Sequence, residues 1–229
     1  MDSSDFPQIF VNPGGYVTTI LRGGIEIDLT LNSGMRMLHN RGRSLAVSDS
    51  GTESCIIHSD MRAIQAGGFV DATFYGNRAA CFSGTWIAFG RIDYRESYLL
   101  NSEWHMESLA NIRTRWRFPT LRYDLTQTVF NSPATVSHLL LQQCRQMIDN
   151  GRSVASADGR SHEIEIGEVQ ITQDYEHNVV LTVNKANDAR LEIQITEQTA
   201  QLKTNNIEMG VMVGGVYHLF QPSFVALAF

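Results

Sequence analysis

Arg113, Arg115 and Arg117, with Trp116 between the last two, are the residues whose type and spacing most clearly suggest recognition chemistry. On a strand, successive side chains point to opposite faces, so the three guanidinium groups share one face and Thr114, Trp116 and Phe118 the other. A guanidinium stays charged and grips carboxylates or phosphates with a planar fork. Such a stripe interleaved with an aromatic residue suits an acidic protein surface or RNA. It equally suits cross-strand pairing with glutamates of a neighbouring strand, such as Glu96 or Glu103. The residues alone leave both readings open.

Other chemistry is sparse. His39, His58, His105, His138, His162, His177 and His218 are scattered, with neither HxH nor HExxH spacing. The pairs Gly14-Gly15, Gly23-Gly24, Gly67-Gly68 and Gly214-Gly215 lack the lysine and helix that a phosphate-binding loop needs. Ser83 has no glycine two positions before it, so it does not sit in a nucleophile elbow. Glu163 and Glu165 share one strand face, a pairing that acid–base chemistry could use and that wet sheet faces often carry. Cys55, Cys81 and Cys144 are odd in number and far apart, and read as buried free thiols of a reducing compartment. No catalytic, cofactor-binding or metal-ligating set emerges. A site gathered from distant strands inside a barrel, for a metal or a small ligand, stays open because spacing cannot reveal it.

The elements that must carry these residues are mostly strands. Ile25, Ile27, Leu29 and Leu31 alternate with Glu26, Asp28 and Thr30, which puts the apolar side chains on one face and the polar ones on a wet face. Asn32-Ser33-Gly34, Asn40-Arg41-Gly42 and Asp49-Ser50-Gly51 supply turn chemistry between short runs. Further runs follow at Ile56-Ile57, Phe69 to Phe74, Ala79 to Phe82 and Trp86 to Phe89. After a polar loop from Arg152 to Arg160, alternation resumes at Ile164 and Ile166. Gly167 shifts its phase in the manner of a bulge before Val169 and Ile171. Val179 to Val183, Leu191 to Ile195, Leu202, Ile207 to Val213, Val216 to Phe220 and Phe224 to Phe229 complete the strands, with Gly214-Gly215 as a hairpin signal.

One stretch is helical. Ser132 can cap, Pro133 suits the first helical position, and Asn150-Gly151 suits the end. Val136, Leu139, Leu140, Cys144, Met147 and Ile148 recur at helical spacing. The fold class is therefore mainly β: antiparallel sheets of barrel or sandwich type, with one long amphipathic helix at about 132–150. A β-rich region at 6–130 precedes the helix and a second at 160–229 follows it, with one shared core or two. The absence of a βαβ rhythm argues against nucleotide-binding α/β folds.

A net charge of −6 removes any general attraction to a phosphate backbone and weakens the RNA reading. The first residues, Met-Asp-Ser-Ser-Asp, lack a signal-peptide pattern, and no apolar run reaches the roughly 20 residues that span a bilayer. The expectation is a cytoplasmic protein with a protein partner. Met35-Arg36-Met37, Gly51-Thr52-Glu53, Ile56-Ile57-His58 and Tyr75-Gly76-Asn77-Arg78-Ala79-Ala80 resemble the β-rich domains of the sperm-associated antigen seventeen family. The resemblance covers Met35 to Asp93, and Ser59-Asp60-Met61 departs from it. It implies a non-enzymatic scaffold of a cilium or another cytoskeletal assembly, with no catalytic residues to carry over. The order of strands then helix is also similar to a polo-box module.

Overall fold

The computed structural model describes residues 6–40, 42–59, 61–67, 69–74, 77–83, 86–92, 97–101, 103, 105–108, 121–130, 135–184, 190–195, 199–203 and 208–212. Period-two runs separated by short polar turns can only pair with their chain neighbours unless a crossover intervenes, and none does. The first sheet is a meander of twelve strands in sequence order. They are β1 (Gln8–Asn12), β2 (Tyr16–Leu21), β3 (Ile25–Leu29), β4 (Met35–His39), β5 (Arg43–Val47), β6 (Glu53–Ile57), β7 (Met61–Ala66), β8 (Phe69–Phe74), β9 (Arg78–Ser83), β10 (Trp86–Arg91), β11 (Tyr98–Asn101) and β12 (Met106–Ser108). Two helices follow, α1 (Leu125–Phe130) and α2 (His138–Asp149). A second antiparallel meander then runs through β13 (Arg152–Ala155), β14 (Ser161–Ile166), β15 (Val169–Asp174), β16 (Val179–Asn184), β17 (Arg190–Ile195), β18 (Thr199–Lys203) and β19 (Glu208–Met212). Both sheets are open, since β1 and β12 end the first and β13 and β19 the second.

Strand register carries the sequence pattern into three dimensions. Ile27, Met37, Leu45, Ile56 and Ala63 face one another in turn along one rung. They join Ile164, Ile171, Leu181 and Ile193 of the second sheet in one buried cluster, together with Cys144 of α2. The two β regions therefore share a core, in the manner of a sandwich. Each buried Ile, Leu or Met contributes about 1.5–3 kcal/mol of burial free energy. Polar links fix the alignment. The Gln173 amide accepts from the Arg22 N–H at 3.1 Å and donates to the Arg22 carbonyl at 2.9 Å. The Ser33 hydroxyl donates to Glu168 at 3.5 Å. Gly23, at φ +77°, lets the β2–β3 turn approach the His177 side chain, which a Cβ there would meet at 3.1 Å.

Several sequence expectations change here. The helix begins at His138, not near Ser132: Ser137 caps it by accepting from the Leu140 N–H at 3.1 Å. Two serines offer the same capping chemistry, and the chain uses the later one. Ser132 and Pro133 lie outside the described residues. The inward stripe is buried Cys144 flanked by half-buried Leu140, Leu141, Met147 and Ile148, while Val136 and Leu139 are exposed. Gly167 is not a bulge. Ile166 pairs with Val169, so Gly167 and Glu168 form a two-residue hairpin turn, with the positive φ at its first position that type II′ turns need. The polar loop expected at Arg152 to Arg160 contains β13, and the β-rich region expected over 6–130 ends in a short helix, α1. The strands expected at 216–220 and 224–229, and the Gly214-Gly215 hairpin, lie outside the described residues.

Thr19 faces the shared core, fully buried, and its hydroxyl has no hydrogen-bond partner among the described residues. A buried hydroxyl without a partner keeps its desolvation cost and gains nothing in return. Thr19→Val is expected to stabilise the chain by about 1 kcal/mol, read as a higher urea midpoint at unchanged slope. A lower midpoint would show that the hydroxyl is bonded.

Candidate interaction surface

The face of the first sheet that the alternation marks as wet is covered over β2 to β6. Thr18, Asp28, Arg36, Ala46 and Cys55 form one rung across five strands. Asp28 is 0% exposed. One carboxylate oxygen accepts from Thr18 Oγ1 at 2.6 Å, and the other accepts from Arg36 Nε and Nη2 at 2.8 and 2.6 Å. The Arg36 guanidinium lies 5.1 Å from the centre of the Phe130 ring, which meets Tyr16 edge-to-face at 5.2 Å. Phe130 belongs to α1, whose Leu125 and Val129 pack with Leu121 on Ala46 and Cys55. Asp124 starts α1 by accepting from the Thr126 N–H at 3.0 Å, which is N-cap chemistry. The signal for α1 was present in the sequence as Asp124 followed by Leu125 and Val129 four apart. Burial pushes the Tyr16 hydroxyl and the Glu26 carboxyl up, with Asp28 adding to both and Arg36 opposing. Each member has its partner inside the fold, so this cluster anchors α1.

The thiols are held protonated. Burial pushes Cys55 up to about 12, and burial raises Cys81 and Cys144. Asp71, opposite Cys81 on the next strand, raises it further by accepting its hydrogen bond. None is a nucleophile near neutral pH. Among the described residues no three His, Cys, Asp or Glu side chains converge on a metal-sized position. Glu163 and Glu165 are exposed on the outer face of β14, Glu165 opposite Arg152. The Arg113, Arg115, Arg117 and Trp116 stripe lies outside the described residues, as does Glu96.

A different surface is built and open. All four residues of β13 are exposed. The Ser156 N–H donates to the Ser161 carbonyl at 2.9 Å, and this pairing fixes the ladder. Hydrogen-bonded pairs alternate along an antiparallel ladder, so Val154 and Arg152 bond to β14 while Ser153 and Ala155 aim their N–H and C=O groups away from the sheet. Beside this edge runs a groove of about 60 Å³ between the two sheets, lined by residues that include Phe6, Pro7, Arg22, Ala155, Arg160, His162, Asp174 and Tyr175. His162 Nε2 lies 2.8 Å from Ser153 Oγ. Burial, then the charge of Arg22, makes His162 harder to protonate. Sequence reasoning missed this surface because its residues are spread from Phe6 to Tyr175.

Residues 7–215 match the family described as Domain of unknown function (DUF8796). The chain belongs to that family. No curated protein matches the DUF8796 chain. Among solved structures it is similar to the wild-type TCP10 domain of Danio rerio CPAP, at 11% identity and TM-score 0.36, over 86% of this chain and 93% of that one. It is also similar to the SAS-4 (dCPAP) TCP domain of Drosophila melanogaster, solved in complex with a proline-rich motif of Ana2 (dSTIL). There the identity is 8% and the TM-score 0.35, over 83% and 91% of the two chains. No described helix is long and apolar enough to cross a membrane.

Proposed function

We propose that this chain is a protein-binding module that holds an extended segment of a partner along the free edge of β13. The observation that carries the reading is the outward aim of the Ser153 and Ala155 backbone groups at an exposed edge. An exposed edge is a template for one more strand, and main-chain hydrogen bonds supply affinity there while neighbouring pockets select side chains. Each such bond contributes about 0.5–1.5 kcal/mol net. The adjoining groove gives the added strand a wall on which to lay alternate side chains.

Proline at position 155 separates docking from folding. The Ala155 N–H takes no part in the bonds to β14, and edge strands tolerate proline where the N–H faces solvent. Ala155→Pro is expected to leave the unfolding midpoint close to the parent and to weaken partner binding at least tenfold. Retained affinity in the folded variant would defeat the docking reading. The resemblance of residues 35–93 to the sperm-associated antigen seventeen family extends the proposal to a scaffold role in a cytoplasmic assembly such as a cilium. A fluorescently tagged chain should then concentrate at that assembly, and an even spread through the cell would remove this part.

A further inference from the structure

We infer that the segment docked on β13 is β13 of a second copy of this chain, paired antiparallel about a two-fold axis at Val154. The inference rests on the docking reading above and names the occupant of that edge. A two-fold axis perpendicular to the sheet turns a strand end for end, so an edge that meets its own copy pairs antiparallel and isologously. Such a pair needs outward groups placed symmetrically about one residue. On β13, Ser153 and Ala155 aim their N–H and C=O groups outward and flank Val154. With the axis at Val154, Ser153 exchanges both bonds with Ala155 of the second copy, and Ala155 does the same with Ser153 of the second copy. The side chains suit that register. On the groove face serine meets alanine, both small and uncharged. On the outer face Val154, 40% exposed in the single chain, meets its own copy. This is a pair without hydrogen bonds, where Cα atoms approach to about 4.5 Å and side chains come closest. Branched residues placed in this way stabilise a sheet. Arg152, opposite Glu165 on β14, falls across from Ser156 of the second copy, so no like charges abut. Edge strands are guarded against self-pairing by lysine, proline, bulges or inward charges. β13 reads Arg-Ser-Val-Ala, pairs with β14 residue for residue, and turns only Ser153 and Ala155 towards the groove face, so it carries none of these guards. An edge of four residues buries less than the roughly 1,200 Å² of a stable interface, so the dimer is transient, with a dissociation constant on the order of 0.1 mM.

Sedimentation velocity of the full chain from about 1 µM to about 1 mM reads the equilibrium. The parent is expected to shift from monomer towards dimer across that range. Val154→Arg sets two guanidinium groups against each other at the axis, while within each chain it puts a favourable charge opposite Glu163. It should weaken the dimer about tenfold or more, with the melting midpoint unchanged. Val154→Glu should weaken it as well. An equimolar mixture of the two variants should recover association, because opposite charges then meet at the axis, and pairing through another face would not respond in this way. A parent that stays monomeric throughout, a dimer that survives both Val154→Arg and Ala155→Pro, or a mixture no more associated than its components would overturn self-pairing. A capped peptide of alternating Thr and Val, followed by fluorescence anisotropy, separates that failure from failure of the docking reading. If the peptide binds the parent and not Ala155→Pro, strand docking stands with another occupant. If it binds both alike or neither, docking falls together with self-pairing.

Discussion

Asp28→Ala is expected to destabilise the chain by about 3–5 kcal/mol, the cost of leaving a buried charge without its partner. Arg36 is 7% exposed, and Asp28 is its close ion-pair partner. Arg36→Met should cost a similar amount, because it strands the Asp28 carboxylate among Thr18, Tyr16 and Phe130. The double variant Asp28→Leu, Arg36→Met should recover much of the loss, since a buried ion pair and a well-packed apolar pair of similar volume are often close in free energy. Equilibrium urea unfolding of the three variants checks this. Single variants that unfold within about 1 kcal/mol of the parent would show that water reaches Asp28 and that α1 does not seal the rung.

Phe130→Ala is expected to cost about 3–5 kcal/mol, as for other large-to-small changes in a core. The ring is 1% exposed. Its loss removes the edge-to-face contact with Tyr16 and the cover over Arg36. An isolated helix of six residues has no stability of its own in water. Without Phe130, α1 should therefore detach and expose the Asp28–Arg36 pair. Removal of the ring and removal of the ion pair should be strongly non-additive, because both act on one contact network. Combining Phe130→Ala with Asp28→Leu and Arg36→Met measures that coupling directly. A ring removal that leaves the melting curve unchanged would show that α1 rests on the sheet through Leu125 and Val129 alone.

Together these variants separate the part of the molecule that holds the fold from the part proposed to hold a partner. The Asp28–Arg36 cluster has its hydrogen bonds satisfied internally and is sealed by an aromatic ring. The β13 edge has outward backbone groups and sits beside a groove. Loss of stability is expected from changes at the first, and loss of binding at constant stability from changes at the second.

By itself the sequence determined the strands, because period-two alternation and turn residues are local signals. Ile25 to Leu29 pairs with Met35 to His39 across Asn32-Ser33-Gly34, where Ser33 takes the positive φ the turn needs. The meander order follows from the same locality, since each short turn leaves the next strand only its neighbour to pair with. The existence of α2 and the buried face of Cys144 were also legible, as helical spacing states them. Tertiary structure decided what lies over each face. Alternation sets Asp28 and Arg36 opposite the apolar rung, and only the docking of α1 makes that polar face a buried one. It set the helix start at Ser137 and turned Leu140 towards Gly15 while leaving Leu139 exposed. β13 left little trace in the sequence, because a strand exposed along its whole length needs no apolar alternation. The groove beside it left none, because it brings Phe6, Arg22, His162 and Tyr175 together across two sheets. Periodicity within a strand reports which side a residue faces, and only the packing of distant strands reports what it faces.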